Sequence, residues 1–159
     1  MARADTLTVL VRGEMAVARI LRNLLAVVLG FVVGGVVNMA IIMTLPLLIP
    51  PPAGVDVTNA ESLAAAMHLF EPKHFVAPFL AHALGAFVGA FVAYVIAATR
   101  KAWLAYLIGV LSLCGGIAAS FMIPAPAWFV ALDLIVAYIP MAWLATVLGR
   151  RVVKAQGGG

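Results

Sequence analysis

The chain alternates long apolar runs with short polar breaks, and the runs have the length of membrane-spanning helices. A helix needs about 20 apolar residues to cross the hydrocarbon core of a bilayer. Four runs reach this length, at about residues 24–49, 75–98, 102–123 and 127–148. The pattern predicts an all-α integral membrane bundle of four transmembrane helices, which forms a single domain over residues 1–156.

Prolines and turn residues mark the ends of these runs. Pro46 and the prolines at 50–52 end the first run, because proline lacks the N–H that a continuing helix needs. The sequence TRK at 99–101 separates the second run from the third, and PAPA at 124–127 separates the third from the fourth. Pro140 lies inside the fourth run, where it predicts a kink.

The connection between the first two runs, at residues 50–74, is long enough to hold structure of its own. Thr58 and Glu61 match a capping box, in which a hydroxyl at the N-cap and a glutamate three residues later satisfy backbone donors. The following residues place Leu63 and Met67 on one helical face. We therefore expect an outer amphipathic helix between spans 1 and 2, lying over the mouth of the bundle.

The two ends of the chain lie outside the predicted spans. Residues 1–22 carry four arginines and a weak helical pattern of apolar residues, which predicts a cytoplasmic interfacial segment. The first run is longer than the roughly 7–15 apolar residues of a signal peptide, so we interpret it as a retained span. The three glycines at 157–159 are typical of a linker or tag.

Composition and charge agree with a membrane protein. The chain is 65% hydrophobic and 10% charged, against roughly 25% charged residues in soluble domains. Nine of the ten lysines and arginines fall on one side of a four-span bundle, and Lys73 alone falls on the other. The positive-inside rule then predicts a multi-pass protein of the bacterial inner membrane with both termini in the cytoplasm. Since these residues flank apolar runs, we expect no nucleic-acid partner.

Glycines four residues apart predict where helices meet. Gly30 and Gly34 form one such pair, and Gly85 and Gly89 form another. In lipid, glycine lets two helix backbones approach closely. We favour intramolecular packing for these faces; the alternative is a homo-oligomer, such as a homodimer, formed through one of them.

Three polar residues inside the spans are the candidates for a site. Asp133 is the only carboxylate within a predicted span, and it lies about 9 Å below the outer end of its helix. His82 lies about 10 Å deep, and Asn38 lies about 16 Å deep. Because an ionisable residue in a span usually faces a partner inside the bundle, we expect His82, Asp133 and Asn38 to form an outward-facing polar pocket, with His82 bonded to Asp133.

The other two histidines lie above this pocket. His68, Glu71 and His74 form a predicted polar cluster at the outer mouth. Imidazole and carboxylate groups suit zinc and similar ions, so His82 and Asp133 are also candidate metal ligands. A metal would need a third ligand, such as His74 or His68 folded back, and the sequence contains no HExxH motif.

The segments HLFEPKHFVAPFLAHALGAFVGA and FMIPAPAWFVALDL resemble small uncharacterised four-span proteins of bacterial inner membranes. The resemblance covers most of the chain from Asn38 onward, and it implies a topology and no activity. Our leading hypothesis is a binding or accessory protein for a small ligand, a lipid or a partner protein's span. The alternatives are a metal-dependent intramembrane enzyme, with Glu71 as acid or base, and a proton-coupled transporter that acts as a dimer.

Overall fold

The computed structural model describes residues 2–123 and 125–156, and the side chains of residues 12–123 and 125–155. The described residues form α-helices, joined by loops and short 3-10 turns, and contain no β-strand. The helices are α1 (Ala2–Thr44), α2 (Ala60–Ala66), α3 (Val76–Ile96), α4 (Lys101–Met122), α5 (Ala127–Val136) and α6 (Ile139–Gln156). The 3-10 turns are Leu45–Leu47, Met67–Leu69 and Pro72–Phe75.

Four segments of the described chain are long and apolar enough to cross a membrane. They are Arg12–Leu47, Pro72–Ile96, Lys101–Met122 and Ala127–Ala155. The all-α bundle of four spans is therefore confirmed, and the protein is a multi-pass membrane protein by the length and composition of its helices. The boundaries differ most at the first and last spans, where helical structure continues into charged sequence.

The first helix is much longer than a bilayer needs. Helix α1 has 43 residues, which corresponds to about 64 Å against a hydrocarbon core of about 30 Å. It continues without a break through residues 2–22, where the sequence predicted a separate interfacial segment. Gly13 lies within this helix and does not interrupt it. The predicted linker at 157–159 and Pro124 of the PAPA turn lie outside the described residues.

The two glycine pairs form one seam between α1 and α3. A Cβ atom added to Gly34 would lie 2.6 Å from the carbonyl oxygen of Gly85, and one added to Gly30 would lie 2.6 Å from that of Gly89. Real Cβ atoms do not approach so closely, so these positions require glycine. Both glycine pairs pack within the chain, as predicted, and a homo-oligomer stays a prediction.

Helix α3 lies at the centre of the bundle and packs against α1, α4 and α6. Its inner faces carry small residues, which suits a bundle whose helices associate by close van der Waals packing. Large apolar side chains instead cover the periphery of the bundle, where lipid would contact them. The main buried cluster consists of Ala90, Ala93, Tyr94, Ala105, Ile108, Ala142 and Ala145.

Side chains of α1 hold the α3–α4 turn: Arg22 donates from Nε to the carbonyl of Ile96 at 2.7 Å, and Asn23 bonds to the turn itself. The Oδ1 atom of Asn23 accepts hydrogen bonds from the backbone N–H groups of Ala98 at 2.9 Å and Thr99 at 3.2 Å. Its Nδ2 atom donates to the Thr99 hydroxyl at 2.8 Å. These bonds satisfy backbone donors at the point where the chain reverses direction, and they fix α1 along this end of the bundle.

The fourth span is broken into two helices. Helix α5 ends at Val136, α6 begins at Ile139, and Ala137 and Tyr138 form a turn between them. Pro140 follows the break, and its ring and missing N–H prevent a regular helix from continuing through this point. The structure therefore shows a break of two residues where the sequence predicted a kink.

In the connection between the first two spans, residues 50–74, which we call the outer connection, the helix starts one residue later than predicted. Helix α2 is capped by Asn59, whose Oδ1 atom accepts a hydrogen bond from the N–H of Ser62 at 2.9 Å. Thr58 instead donates from its hydroxyl to Asp56 at 2.6 Å, and this bond holds the pKa of Asp56 below its usual value. The capping box from Thr58 was therefore wrong by one residue, since asparagine serves as N-cap at least as well as threonine. The amphipathic character of α2 stays a prediction.

Candidate functional site

A histidine and an aspartate meet between α3 and α5. The Nδ1 atom of His82 lies 3.0 Å from Oδ1 and 2.9 Å from Oδ2 of Asp133. The Asp133 side chain is 6% exposed and that of His82 is 25% exposed, so the carboxylate is enclosed while the imidazole reaches open space. The predicted pairing of these two residues is present.

Tyr138 completes this group, although its role was not predicted from the sequence. Its hydroxyl donates to Oδ2 of Asp133 at 2.9 Å. Its ring also stacks on the imidazole of His82, with ring centroids 5.7 Å apart and planes inclined by 29°. Gly116 on α4 leaves space for the tyrosine, because a Cβ atom there would overlap the Tyr138 ring and hydroxyl. We refer to His82, Asp133 and Tyr138 as the polar cluster.

The hydrogen bonds of the polar cluster determine which nitrogen of His82 can bind a ligand. An ionised carboxylate only accepts hydrogen bonds, so Nδ1 of His82 and the hydroxyl of Tyr138 are the donors. In a neutral imidazole the other nitrogen, Nε2, then carries a lone pair and acts as an acceptor. When Asp133 is ionised, the cluster holds the orientation of His82 and favours the tautomer with its hydrogen on Nδ1, as a carboxylate does for histidines in catalytic and metal sites.

A cavity of about 320 Å³ lies above the polar cluster, within the size range of small-molecule sites. It is partly open and lies between one end of helices α1, α3, α4 and α5 and the connection that contains α2. Lining residues from the helices are Ile42, Ala77, Pro78, His82, Gly116, Ala119, Ser120, Phe129, Val130, Asp133 and Leu134. Those from the connections are Pro46, Ile49, Pro51, Val57, Leu63, Met67, Phe70, His74, Phe75, Ile123 and Ala125.

The cavity lining is mainly apolar and carries few polar side chains. These are His74, His82, Ser120 and Asp133, and no lysine or arginine is among the described lining residues. Lys73 is the one cation of the outer connection, and its Nζ atom pairs with the carboxylate of Glu71 at 3.0 Å on the exposed surface. A ligand in this cavity would meet hydrocarbon on most sides and no fixed positive charge.

Asn38 was expected in the pocket, and the structure places it elsewhere. Its Cβ atom lies against Gly85 in the α1–α3 seam. Within the described part of the chain, Asn38 bonds to no member of the polar cluster and does not line the cavity. Depth along the helix was the only basis for grouping it with His82 and Asp133, and depth does not specify which side of the helix a residue faces.

The predicted outer-mouth cluster is only partly assembled. His74 lines the cavity, and its Nδ1 atom accepts a hydrogen bond from the N–H of Glu71 at 2.9 Å. The Glu71 carboxylate turns to Lys73 at the surface. His68 is exposed, bonds to the carbonyl of Ala65 at 3.0 Å and is not a lining residue. The three side chains therefore do not form a joint site.

The metal alternative lacks a third ligand among the described residues. No group of three or more histidine, cysteine, aspartate or glutamate side chains in residues 12–123 and 125–155 is arranged to hold an ion. Both oxygens of Asp133 already accept hydrogen bonds from His82 or Tyr138. The two predicted metal ligands therefore bond to each other.

Aromatic side chains pack together beside the cavity. Phe75 is buried, and its ring centroid lies 4.8 Å from that of Phe129 and 5.4 Å from that of Trp128. Phe70 lies edge-on to His74 at 5.5 Å. This packing joins the start of α3 to the start of α5, the two helices that carry His82 and Asp133.

Comparison with known proteins gives no relative from which a function could be transferred. Neither the protein-family models, nor the curated proteins, nor the solved structures produced a significant match. The resemblance suggested by the sequence segments stays a prediction.

Proposed function

We propose that this protein is a membrane-embedded binding protein that takes a small, largely apolar molecule into the cavity above His82 and Asp133. One observation carries the proposal: a cavity of about 320 Å³ with apolar walls ends on an imidazole whose orientation is fixed by two neighbours. Binding sites for small molecules commonly combine apolar walls with a few well-placed polar groups. The apolar lining favours a molecule that enters from the lipid.

The geometry favours binding over the two alternatives. A metal-dependent enzyme would need further ligands beside His82 and Asp133, and none is gathered there in the described residues. A proton-coupled transporter would need a polar pathway through the bundle. The polar cluster instead lies beneath a cavity at one end of the bundle, and the main buried cluster of α3, α4 and α6 is mostly alanine.

We also propose that the protein lies in a bacterial inner membrane with both termini in the cytoplasm. The support is the distribution of charge: the described basic residues other than Lys73 lie at the end of the bundle opposite to the cavity. Under the positive-inside rule this end faces the cytoplasm. The cavity then opens toward the outer leaflet.

Photolabelling in lipid nanodiscs tests the binding proposal. A dodecane that carries a diazirine is added, the sample is irradiated, and labelled residues are identified by peptide mass spectrometry. We expect residues that line the cavity, such as Phe129 and Val130, to be labelled more strongly than the lipid-facing residues Val28 and Phe31 of α1. Equal labelling per residue at the two places would contradict the proposal, because it would reflect only partitioning of the probe into lipid.

A pair of variants on α4 makes this test specific. Ala119 lines the cavity, and the neighbouring Ala118 is exposed on the outer surface of the helix. Ala119→Phe should fill the cavity and remove the excess labelling of Phe129 and Val130. Ala118→Phe adds the same group on the lipid side and should leave the labelling unchanged.

A further inference from the structure

We infer that the ligand is an uncharged molecule whose apolar body ends in a hydroxyl group, such as a long-chain or isoprenoid alcohol, and that Nε2 of His82 binds this hydroxyl. The inference rests on the proposed function, since it assigns the chemical class of the molecule in the same cavity. It follows from the charges and hydrogen-bonding atoms that the cavity presents.

An anionic head group does not suit this cavity. Among the described lining residues, Asp133 is the only carboxylate and none is a lysine or an arginine. A fatty acid or phosphate placed against His82 would lie close to the charge of Asp133 with no fixed cation to offset the repulsion. In an apolar surrounding such like-charge contacts are costly, because little water is present to screen them.

A cationic head group does not suit this cavity either. Asp133 would be its natural partner, but the side chain is only 6% exposed. Its two oxygens already accept hydrogen bonds from His82 and from Tyr138. An ammonium group would have to displace one of these donors in order to reach the carboxylate.

A hydroxyl group matches the hydrogen-bonding atom that remains, Nε2 of His82. With Nδ1 bonded to Asp133, Nε2 is the imidazole atom left for a ligand. A hydroxyl can donate to this nitrogen when the imidazole is neutral, and it can accept from it when the imidazole is protonated. An uncharged amide could also pair with the ring in both states. An ether or ester lacks the donor, and an alkane lacks both functions.

Matched photoprobes distinguish these classes. Dodecanol, its methyl ether, dodecanoic acid and dodecylamine, each with a diazirine at the same carbon, are compared in nanodiscs. Labelling of Phe129 and Val130 is normalised to that of Val28 and Phe31, which corrects for partitioning into lipid. We expect the alcohol to label the cavity residues about fivefold more than the ether, as for one hydrogen bond, and the acid and amine to label them no better than the ether.

Variants then assign the preference to His82. His82→Leu should reduce the alcohol-to-ether ratio to about one, while the ether still labels the cavity. Tyr138→Phe removes only one hydroxyl, keeps the ring that stacks on His82, and should lower the ratio partly; it serves where His82→Leu does not fold. His68→Leu is the matched control, because His68 is exposed and does not line the cavity, and it should leave the ratio unchanged.

The outcomes separate the two proposals. If the cavity is labelled above the lipid-facing residues but without preference for the alcohol, or with preference for the acid or amine, the hydroxyl inference is wrong and the binding function stands. An alcohol preference that survives in His82→Leu also overturns the inference. If no probe labels the cavity above the lipid-facing residues, the proposed function fails and the inference fails with it.

Discussion

Asp133 is a buried carboxylate in a membrane span, a position that costs about 2.5–3.5 kcal/mol on insertion scales. Two donors offset this cost, the imidazole of His82 and the hydroxyl of Tyr138. They come from two different elements of the fold, so satisfying the carboxylate also fixes α3 against the break in the fourth span. The same bonds leave Nε2 of His82 for the cavity, which joins a structural role to the proposed binding role.

We predict that His82 and Asp133 are energetically coupled. Either single change, His82→Ala or Asp133→Ala, removes the mutual hydrogen bonds and should lower the free energy of unfolding. The double variant should be no worse than the more harmful single one, with a coupling energy of about 1–3 kcal/mol. The free energy of unfolding of the wild type, the two single variants and the double variant is measured by adding sodium dodecyl sulfate to protein in mild micelles. Strictly additive losses would show that the two side chains do not act as a pair.

Gly116 provides a second prediction at this scale. Gly116→Ala places a methyl group where the Tyr138 ring and hydroxyl now lie, so the tyrosine must move away from Asp133. We expect a loss of about 1–3 kcal/mol, as is usual for overpacking, and a weaker His82–Asp133 coupling. The adjacent Gly115 has nothing within 4 Å of an added Cβ atom, and Gly115→Ala should be within about 0.5 kcal/mol of the wild type. Similar losses in both variants, measured by the same unfolding assay, would contradict the assigned packing.

Tyr138 shows why part of the site could not be predicted from the sequence. Five residues along a regular helix correspond to a rotation of about 140° from the starting side chain, so Tyr138 and Asp133 would point in different directions. Their hydrogen bond requires the turn between α5 and α6. Pro140 gave the only signal of that turn. His82 and Asp133 were easier to pair, because each is the strongest candidate partner for the other at the same depth.

At the scale of helices, the seam between α1 and α3 is set by backbone contact. An added Cβ atom on Gly34 would meet backbone atoms of Gly85 and Gly89, which cannot rotate away as a side chain can. Close glycine contacts of this kind substitute for the hydrophobic effect, which does not drive helix association within lipid. The seam positions His82 on α3 relative to the end of α1, where Ile42 lines the cavity.

We predict that Gly34→Ala destabilises the bundle while Gly35→Ala does not. The first variant forces α1 and α3 apart and should cost about 1–3 kcal/mol; the second adds a methyl group where nothing lies within 4 Å. Unfolding in detergent gives the energies, and a cysteine cross-link between the two helices reports their separation. Equal behaviour of the two variants would mean that α1 does not pack on α3 through this face.

The elements themselves were well predicted where hydropathy decides them. Four apolar runs of sufficient length give four spans, because a bilayer imposes both the length and the helical conformation. The start of α2 in the outer connection was predicted one residue too early, since the adjacent residues Thr58 and Asn59 are both good N-caps. The structure uses Asn59, and Thr58 bonds to Asp56 instead. The continuity of α1 through its first turns was not evident from a weak pattern that contains Gly13.

At the scale of the whole molecule, most of the positive charge and the cavity lie at opposite ends of the bundle. The first helix begins among arginines and ends beside the cavity, and the α3–α4 turn brings Arg100 and Lys101 to the basic end. This separation couples orientation to function: if the basic end faces the cytoplasm, the cavity can exchange molecules only with the outer leaflet and the space beyond it. The position of the basic end was predicted from the lysines and arginines in the sequence. The cavity was not, because it depends on how four helix ends and a connection pack.

Cysteine labelling tests that orientation directly. Cys114, the single native cysteine, is replaced by serine, and one new cysteine is introduced in each variant, Ala53→Cys in the outer connection or Ala155→Cys near the end of α6. A membrane-impermeant maleimide added to intact bacterial spheroplasts should react with the cysteine at 53 and should reach the one at 155 only after the membrane is permeabilised. Both positions are exposed in the folded chain, so a difference between them reports the membrane barrier and not burial. The reverse pattern would place the cavity on the cytoplasmic side and would require that the proposed ligand be drawn from the inner leaflet.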